Sequence, residues 1–312
     1  MSDVRIDVLV IGSTNWDIVM YLPSLPQPGE TVAGGNLQSG LGGKGANQAV
    51  AAFLAGGAQT IFLSCIGDDD ISTSVRQVFD DINFPHEHVI ALENTGTGSA
   101  SIFVDADGEN CIGIAAGANE HVTPTLLFSH KQLVAEAKVV LVQLEIPMET
   151  VIRAAEMCRS SDAIFVLNPA PAQSLSEELI SMIDILTPNE IELAQISGMP
   201  ADNLEQVTIA ARHLCNMGIG SVVTTLGAEG SLIVSGGESI HVPANAVQAI
   251  DTTAAGDVFN GTMAAELSRG LALQQAVQVA TIASGIAVSR KGAIESIPTR
   301  TEVLNAQNKS SL

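Results

Sequence analysis

The chain has 312 residues, of which 46% are apolar and only 3% aromatic, so its core must be built from Ala, Val, Ile and Leu, and composition argues against disorder. A formal charge of -21, from 34 acidic against 13 basic residues, excludes general binding to nucleic acid or an anionic membrane, both of which need a basic face. A small phosphorylated ligand stays admissible, because backbone amides and a bound cation hold phosphates whatever the global charge.

The chain opens on an apolar run, IDVLVIG (6–12), with no basic leader, and no later stretch reads as a membrane span. Short β-branched runs then alternate with helical patterns. DVLVIG (7–12) precedes KGANQAVAAFLAGG (44–57), IFLSCIG (61–67) precedes ISTSVRQVFDDI (71–82), and KVVLVQLE (138–145) precedes METVIRAAEMCRSS (148–161). AIFVLNP (163–169), IDILTPNE (183–190) and SVVTTLG (221–227) add further strands. This βαβ rhythm predicts one α/β domain over 1–312, with a mostly parallel sheet, helices on both faces, and ligands beyond the carboxyl ends of the strands. Asn15, Asp17, Glu145, Asn168, Asn189 and Thr225 fall at those ends and are expected to line one edge.

Two stretches break the rhythm. Residues 18–38 and 98–116 read as strands joined by turns, the second a hairpin around DADGEN. Together, over about 15–40 and 96–118, they predict a small sheet acting as a lid or dimerisation surface, although an ordinary pair of edge strands explains the pattern equally well. Residues 305–312 read as a frayed tail. Cys65, Cys111, Cys158 and Cys215 are far apart with no CxxC spacing, which fits reduced thiols in a cytoplasm.

The chemistry concentrates in DTTAAGDVFNG (251–261). A helix is expected from Val258 onward, so the amides of Ala254, Ala255 and Gly256 should face an incoming anion, with Asp257 beside it. A carboxylate next to an amide cradle suits a general base that takes a proton from a hydroxyl attacking a phosphoryl group.

GLGGKGANQ (40–48) formally matches the dinucleotide fingerprint, but no buried strand precedes it, and Lys44 is followed by Gly45 rather than the Ser or Thr of a P-loop. Its glycines instead allow close backbone approach, with Lys44 and Asn47 as hydrogen-bonding partners of a polar ligand. Asn15 and Asp17 offer an amide and a carboxylate on one side, a pairing that suits a vicinal diol, against the plain alternative of an Asx turn. Glu145 ends an apolar strand, where an unpaired charge is costly, and so points to a ligand. Asn189 and Glu192 sit at helical spacing, positioned for phosphate oxygens and a magnesium-bound water, or simply as first-turn residues favoured by the helix dipole. His86, Glu87 and His88 lack further ligand partners and are assigned nothing.

With GGKGANQAVAA (42–52), DTTAAGDVFNG, NPAPA (168–172), TPNE (187–190) and RKGA (290–293), the chain resembles the pfkB family of sugar kinases, and its ribokinase branch in particular, over essentially its whole length. The resemblance implies a three-layer α/β/α ribokinase-like fold with a β-sheet lid, and ATP-dependent phosphorylation of D-ribose at its 5-hydroxyl. It implies sugar contacts from Asn15, Asp17, Gly43, Lys44, Asn47, Glu145 and Asp257, and ATP contacts from Asn189, Thr225, Gly227, Gly230, Gly256 and Thr281. It further implies Mg²⁺ with the nucleotide, and a potassium ion held, mostly by backbone carbonyls, at Asp251, Thr253, Ala287, Arg290, Gly292 and Ser296. A homodimer clasped through the lids is also expected. A kinase for 2-deoxyribose, another sugar or a nucleoside is the alternative within the family, and a catalytically silent sugar-binding regulator the alternative outside it. Trp16, the only tryptophan, stands between Asn15 and Asp17, and its ring either narrows the sugar pocket or packs the lid.

Overall fold

A computed structural model describes residues 6–310. Strands β1 (Ile6–Ile11), β2 (Asn15–Tyr21) and β3 (Asn36–Gly42) lead to helix α1 (Lys44–Leu54), β4 (Thr60–Gly67) and α2 (Asp70–Asp81). Next come β5 (Val89–Leu92), β6 (Gly98–Val104), β7 (Asn110–Ala115) and two short helices, α3 (Pro124–Ser129) and α4 (Lys131–Glu136). The chain continues through β8 (Ala137–Gln143), α5 (Met148–Cys158), β9 (Ile164–Asn168), α6 (Glu177–Ile180), β10 (Ile185–Leu186), α7 (Glu190–Ser197), α8 (Leu204–Met217) and β11 (Ser221–Thr225). A hairpin of β12 (Ser231–Ser235) and β13 (Glu238–Val242) is followed by α9 (Ala255–Ser268), α10 (Leu273–Ala287) and α11 (Arg300–Ser310).

Nine strands form the main sheet in the order β13-β12-β11-β10-β9-β8-β1-β4-β5. It is parallel from β5 to β11, and β12 and β13 add an antiparallel edge that the periodicity argument left out. Gly236 and Gly237, both at positive φ, form the two-residue turn that this edge hairpin needs.

Both faces of the sheet are covered, which is why its central strands read as unbroken apolar runs. Val8, Val10, Val139 and Leu141 join residues of α1, α9 and α10 in one core, whereas Leu9, Ile11, Val140 and Val142 join residues of α5 and α8 in the other. The expected three layers follow from this alternation.

The second sheet has the order β3-β2-β6-β7, with β2 and β6 parallel and both outer pairs antiparallel. Asn15 and Asp17 lie within β2, so the Asx-turn alternative falls away. Asp17 is level with Gly40, Ala100 and, one strand further, Ile114. Trp16 projects from the opposite face and packs against the core that contains α1 and α9, so its ring turns away from Asp17. The tail departs from expectation, since residues 305–310 are helical; Ser311 and Leu312 lie outside the described residues. Arg300, at the start of this helix, pairs with the buried Glu266 of α9, and Val303 is in the core.

Candidate active site

β1 is flanked by β4 on one side and β8 on the other, so the chain leaves β1 in both directions and opens a crevice beyond the carboxyl ends of β1 and β8. Ser13 Oγ donates to Glu145 Oε2 at 2.6 Å and so ties these two strand ends together. The same carboxylate oxygen accepts the Lys44 amide at 3.0 Å, and Gly45 N donates to Ser13 Oγ at 3.2 Å. Glu145 therefore caps α1 from a hundred residues away, because Gly43 at the N-cap has no side chain to do so. A Cβ on Gly45 would run into the backbone of Gly12 and Ser13, and one on Gly43 into Asn15 N. The close approach these glycines allow is thus first of all between the start of α1 and the end of β1.

Asp257 is 7% exposed at the first turn of α9. Asn47 Nδ2 donates to its Oδ2 at 2.9 Å and Gln48 Nε2 to its Oδ1 at 2.9 Å. Burial raises the Asp257 pKa, with Glu145 adding to the rise, and Lys44 together with the two amides oppose it. Asp17 is pushed up to about 6 by burial and then by the charges of Glu145 and Asp257. Burial opposes the charge on Lys44, but Asp257, Glu145, Glu192 and Asp17 around it hold its pKa above the ordinary value.

The helix carrying Asp257 starts at Ala255, three residues before the expected Val258, because Ala254 turns the chain through a left-handed conformation at φ 58°. One expected donor is otherwise engaged: Ala255 N donates to Thr252 O at 3.2 Å and closes that turn rather than facing an anion. Gly256, the next residue, has open space about it: a Cβ added there meets no atom within 4 Å.

The Asn15 side chain accepts from Asn119 Nδ2 at 2.7 Å, and Asn119 also brackets Thr14, accepting from its N at 2.8 Å and donating to its O at 3.2 Å. One lone pair of the Asn15 oxygen is thus taken, and its two N–H groups are the donors it offers a ligand. A cavity of about 500 Å³ lies between the small sheet and the end of β8, lined by Asn15, Ile114, Asn119, Glu145 and Pro171 among others. Asn47 Oδ1, beside Asp257, is buried with no hydrogen-bond partner. A buried acceptor left open in this way fits a hydroxyl donated by a ligand. Sequence reasoning missed Ser13, Gln48 and Asn119. Gln48 stood inside the glycine-rich motif, but nothing local marked the other two.

On the far side of Asp257, Asn189 and Glu192 form a reciprocal capping box at the start of α7, each side chain accepting the other's backbone N–H at 2.8 Å. The first-turn alternative thus accounts for one oxygen of each, while Glu192 still faces Lys44 and Asp257 electrostatically. Thr225 is bridged to Asn189 and donates its amide to Pro188 O at 3.0 Å, bringing the two expected nucleotide contacts together. Gly227 has positive φ and open space over its Cα; a Cβ on Gly230 would strike Val242 O, so that glycine is required by the neighbouring strand. Thr281 spends its hydroxyl proton on Val277 O within α10.

Of the residues expected around a monovalent cation, Asp251, Thr253 and Gly292 are joined, whereas Ala287 O accepts from Arg290 N at 2.9 Å and Ser296 Oγ donates to Ala293 O at 2.7 Å. Asp251 accepts from Thr253 N at 2.9 Å and Gly292 N at 3.0 Å, and Val288 O accepts from Ile250 N and Asp251 N. Burial works against the Asp251 carboxylate, but these bonds and Lys291 hold its pKa below the usual range. The Arg290 guanidinium is drawn off to Glu302 at 2.6 Å, leaving its backbone as the group available to the loop. Both Asp251 carboxylate oxygens and Val288 O are thus already engaged by backbone amides of this loop. Away from the site, His86 pairs with Asp80 at 3.0 Å and His88 stands edge-on to His130.

A model of the pfkB family of carbohydrate kinases matches residues 5–300. The chain is 41% identical to a ribokinase of Haemophilus influenzae over 300 residues, covering 96% of this chain and 98% of that one. The crystal structure of a Thermotoga maritima ribokinase superposes with a TM-score of 0.88 at 37% identity, covering 97% and 99% of the two chains. The structure of an Arabidopsis thaliana ribokinase complexed with ribose and ATP superposes with a TM-score of 0.91 at 32% identity, covering 97% and 98%. The protein therefore belongs to the pfkB family of carbohydrate kinases.

Proposed function

We propose that the protein transfers the γ-phosphoryl group of ATP to the 5-hydroxyl of D-ribose, with Asp257 as the base. The observation that carries this reading is the Asp257 carboxylate itself, buried and held by two amide donors beside the open first turn at Gly256. The relatives named ribokinase, at 41% and 37% identity, support ribose as the sugar.

In this reading the sugar hydroxyls meet Asn15 as a donor, Asp17 as an acceptor and the open Asn47 Oδ1 as a second acceptor. Gly43, Lys44 and Glu145 close the remaining side. As the 5-oxygen bonds to phosphorus and the bond to the ADP oxygen breaks, Asp257 takes the hydroxyl proton. Burial raises its pKa, and a more basic carboxylate is the better proton acceptor so long as it stays ionised. The transition state is largely dissociative, so positioning and charge stabilisation dominate; Gly256 N and Lys44 supply both.

ATP would lie along Asn189, Thr225, Gly227 and Thr281. Mg²⁺ would neutralise phosphate charge near Glu192, whose second carboxylate oxygen is outside the capping box. Potassium at the Asp251 loop would order the backbone leading to Ala254 and Gly256.

The small sheet would serve as the lid of a single kinase domain. On the Asp17 face of that sheet, Ile112 and Ile114 are 53% and 59% exposed, an apolar surface that fits a second copy's lid in a homodimer. Sedimentation as a monomer at micromolar concentration would contradict the dimer. Among the described residues no helix is long and apolar enough to cross a membrane. The free cysteines support a reducing, cytoplasmic location.

The test is ADP release with D-ribose, 2-deoxyribose, fructose and nucleosides in the presence of Mg²⁺ and potassium. The expected result is the highest kcat/KM for D-ribose and a product phosphorylated on the 5-oxygen. Turnover confined to nucleosides, or no release above background, would overturn the reading.

A further inference from the structure

A circuit of buried polar groups runs from the Asp257 carboxylate round to the carbonyl of Gly256, the residue before it. Gln48 Nε2 donates to Asp257 Oδ1 at 2.9 Å and to Asn168 Oδ1 at 3.0 Å. Asn168 Nδ2 donates to Thr187 O at 2.9 Å, Thr187 Oγ1 to Asn260 Oδ1 at 2.6 Å, and Asn260 Nδ2 to Gly256 O at 2.8 Å. Gln143 Nε2 donates to Gln48 Oε1 at 2.5 Å. Gln48, Gln143, Asn168, Thr187, Asn260 and Asp257 are all buried.

An amide in such a place costs free energy unless it is bonded, so a packed core alone would use apolar side chains here. The circuit instead fixes an orientation. An ionised carboxylate only accepts, and with its oxygen held by Gln143, Gln48 can present only N–H to Asp257. Asn47 and Gln48 thereby take one lone pair on each Asp257 oxygen from the α1 side, leaving the others toward the crevice.

We propose that Gln48 is a positioning residue for phosphoryl transfer: it sets the orientation of the Asp257 carboxylate and favours its ionised form, and Asn168, Thr187 and Asn260 link that orientation to the first turn of α9. This rests on the reading of Asp257 as the base. The charged groups facing Asp257 are Lys44 on α1, Glu145 after β8, Asp17 on β2 and Glu192 on α7, and none of them replaces a fixed N–H on Oδ1.

The test compares Gln48→Leu and the isosteric Gln48→Glu in the full-length enzyme, each alone and with Asp257→Asn. Gln48→Leu is expected to lower kcat about 10- to 100-fold with KM for D-ribose changed less than about threefold, the signature of an interaction that acts in the transition state. In the Asp257→Asn background it should cause no further loss, because its effect runs through that carboxylate. Gln48→Glu replaces a donor by a like charge, and should move the acid limb of kcat/KM up by about one pH unit or more. Equal losses with and without Asp257, or variants with wild-type kcat and an unmoved acid limb, would overturn the proposal. If Gln48→Leu fails to fold, the acid limb of Gln48→Glu decides alone. A wild-type enzyme inactive on every sugar overturns the underlying reading; one active on D-ribose beside unaffected variants overturns this proposal only.

Discussion

Asn47 donates to Asp257 across 210 residues of sequence while its own carbonyl oxygen stays buried and unpartnered. In the proposed mechanism one amide thus holds the base with its nitrogen and offers its oxygen to the sugar. Asn47→Ala should raise KM for D-ribose about tenfold and lower kcat as well, since both bonds vanish together. Steady-state kinetics check this; a change in kcat alone would mean that the open oxygen never meets the sugar.

Burial of the Asp17 carboxylate costs stability at neutral pH. Its pKa is raised from 3.8 to about 6, so the folded state keeps a proton that the unfolded chain has already lost between those values. Stability from this group therefore falls as pH rises from about 4 to about 6, and the cost persists at neutral pH. Asp17→Asn should stabilise the protein by about 1–3 kcal/mol at pH 7.5 and by almost nothing near pH 4, while KM for D-ribose rises at least about tenfold. Thermal melts at the two pH values with kinetics at the higher one test it, and an equal Tm change at both would contradict the assignment.

A substitution at Gly256 would separate folding from the proposed function. A methyl group there meets nothing within 4 Å and sits in a helical turn, so Gly256→Ala should leave Tm unchanged or slightly raised. The same methyl would occupy the space proposed for the phosphoryl oxygens and should lower kcat about 100-fold. Full activity would place the phosphoryl group elsewhere.

The strand ends that carry Glu145, Asn168, Asn189 and Thr225 were legible because βαβ alternation fixes which ends of a parallel sheet face the ligand. The capping box at Asn189 and Glu192 was readable too, as an Asn with a Glu three residues on. The Asn119 contact with Asn15 was not, because those residues are 104 apart and meet only once the small sheet has turned the chain back. Ala255 was misread for a related reason: its bond to Thr252 depends on a left-handed residue that alanine rarely supplies. The polar C-terminal helix has too little apolar periodicity to be read locally, and its anchor, Glu266, is 34 residues away from Arg300.

Asp251 tests the cation. Its depressed pKa means that its contribution to loop stability is present above the unfolded value and is lost as pH falls through the folded one. Asp251→Ala should weaken activation by potassium at least about tenfold, and replacing potassium by a large organic cation should lower wild-type kcat. Indifference of the wild-type enzyme to that exchange would contradict a cation at this loop.

Most direct of all is the rate of ADP formation from D-ribose and ATP by Asp257→Asn beside the wild type, with ribose binding followed calorimetrically on the same samples. The account predicts a fall in kcat of about 1,000-fold or more with ribose affinity kept within severalfold, because the amide preserves shape but cannot take the proton. A variant with near-normal kcat would contradict Asp257 as the base.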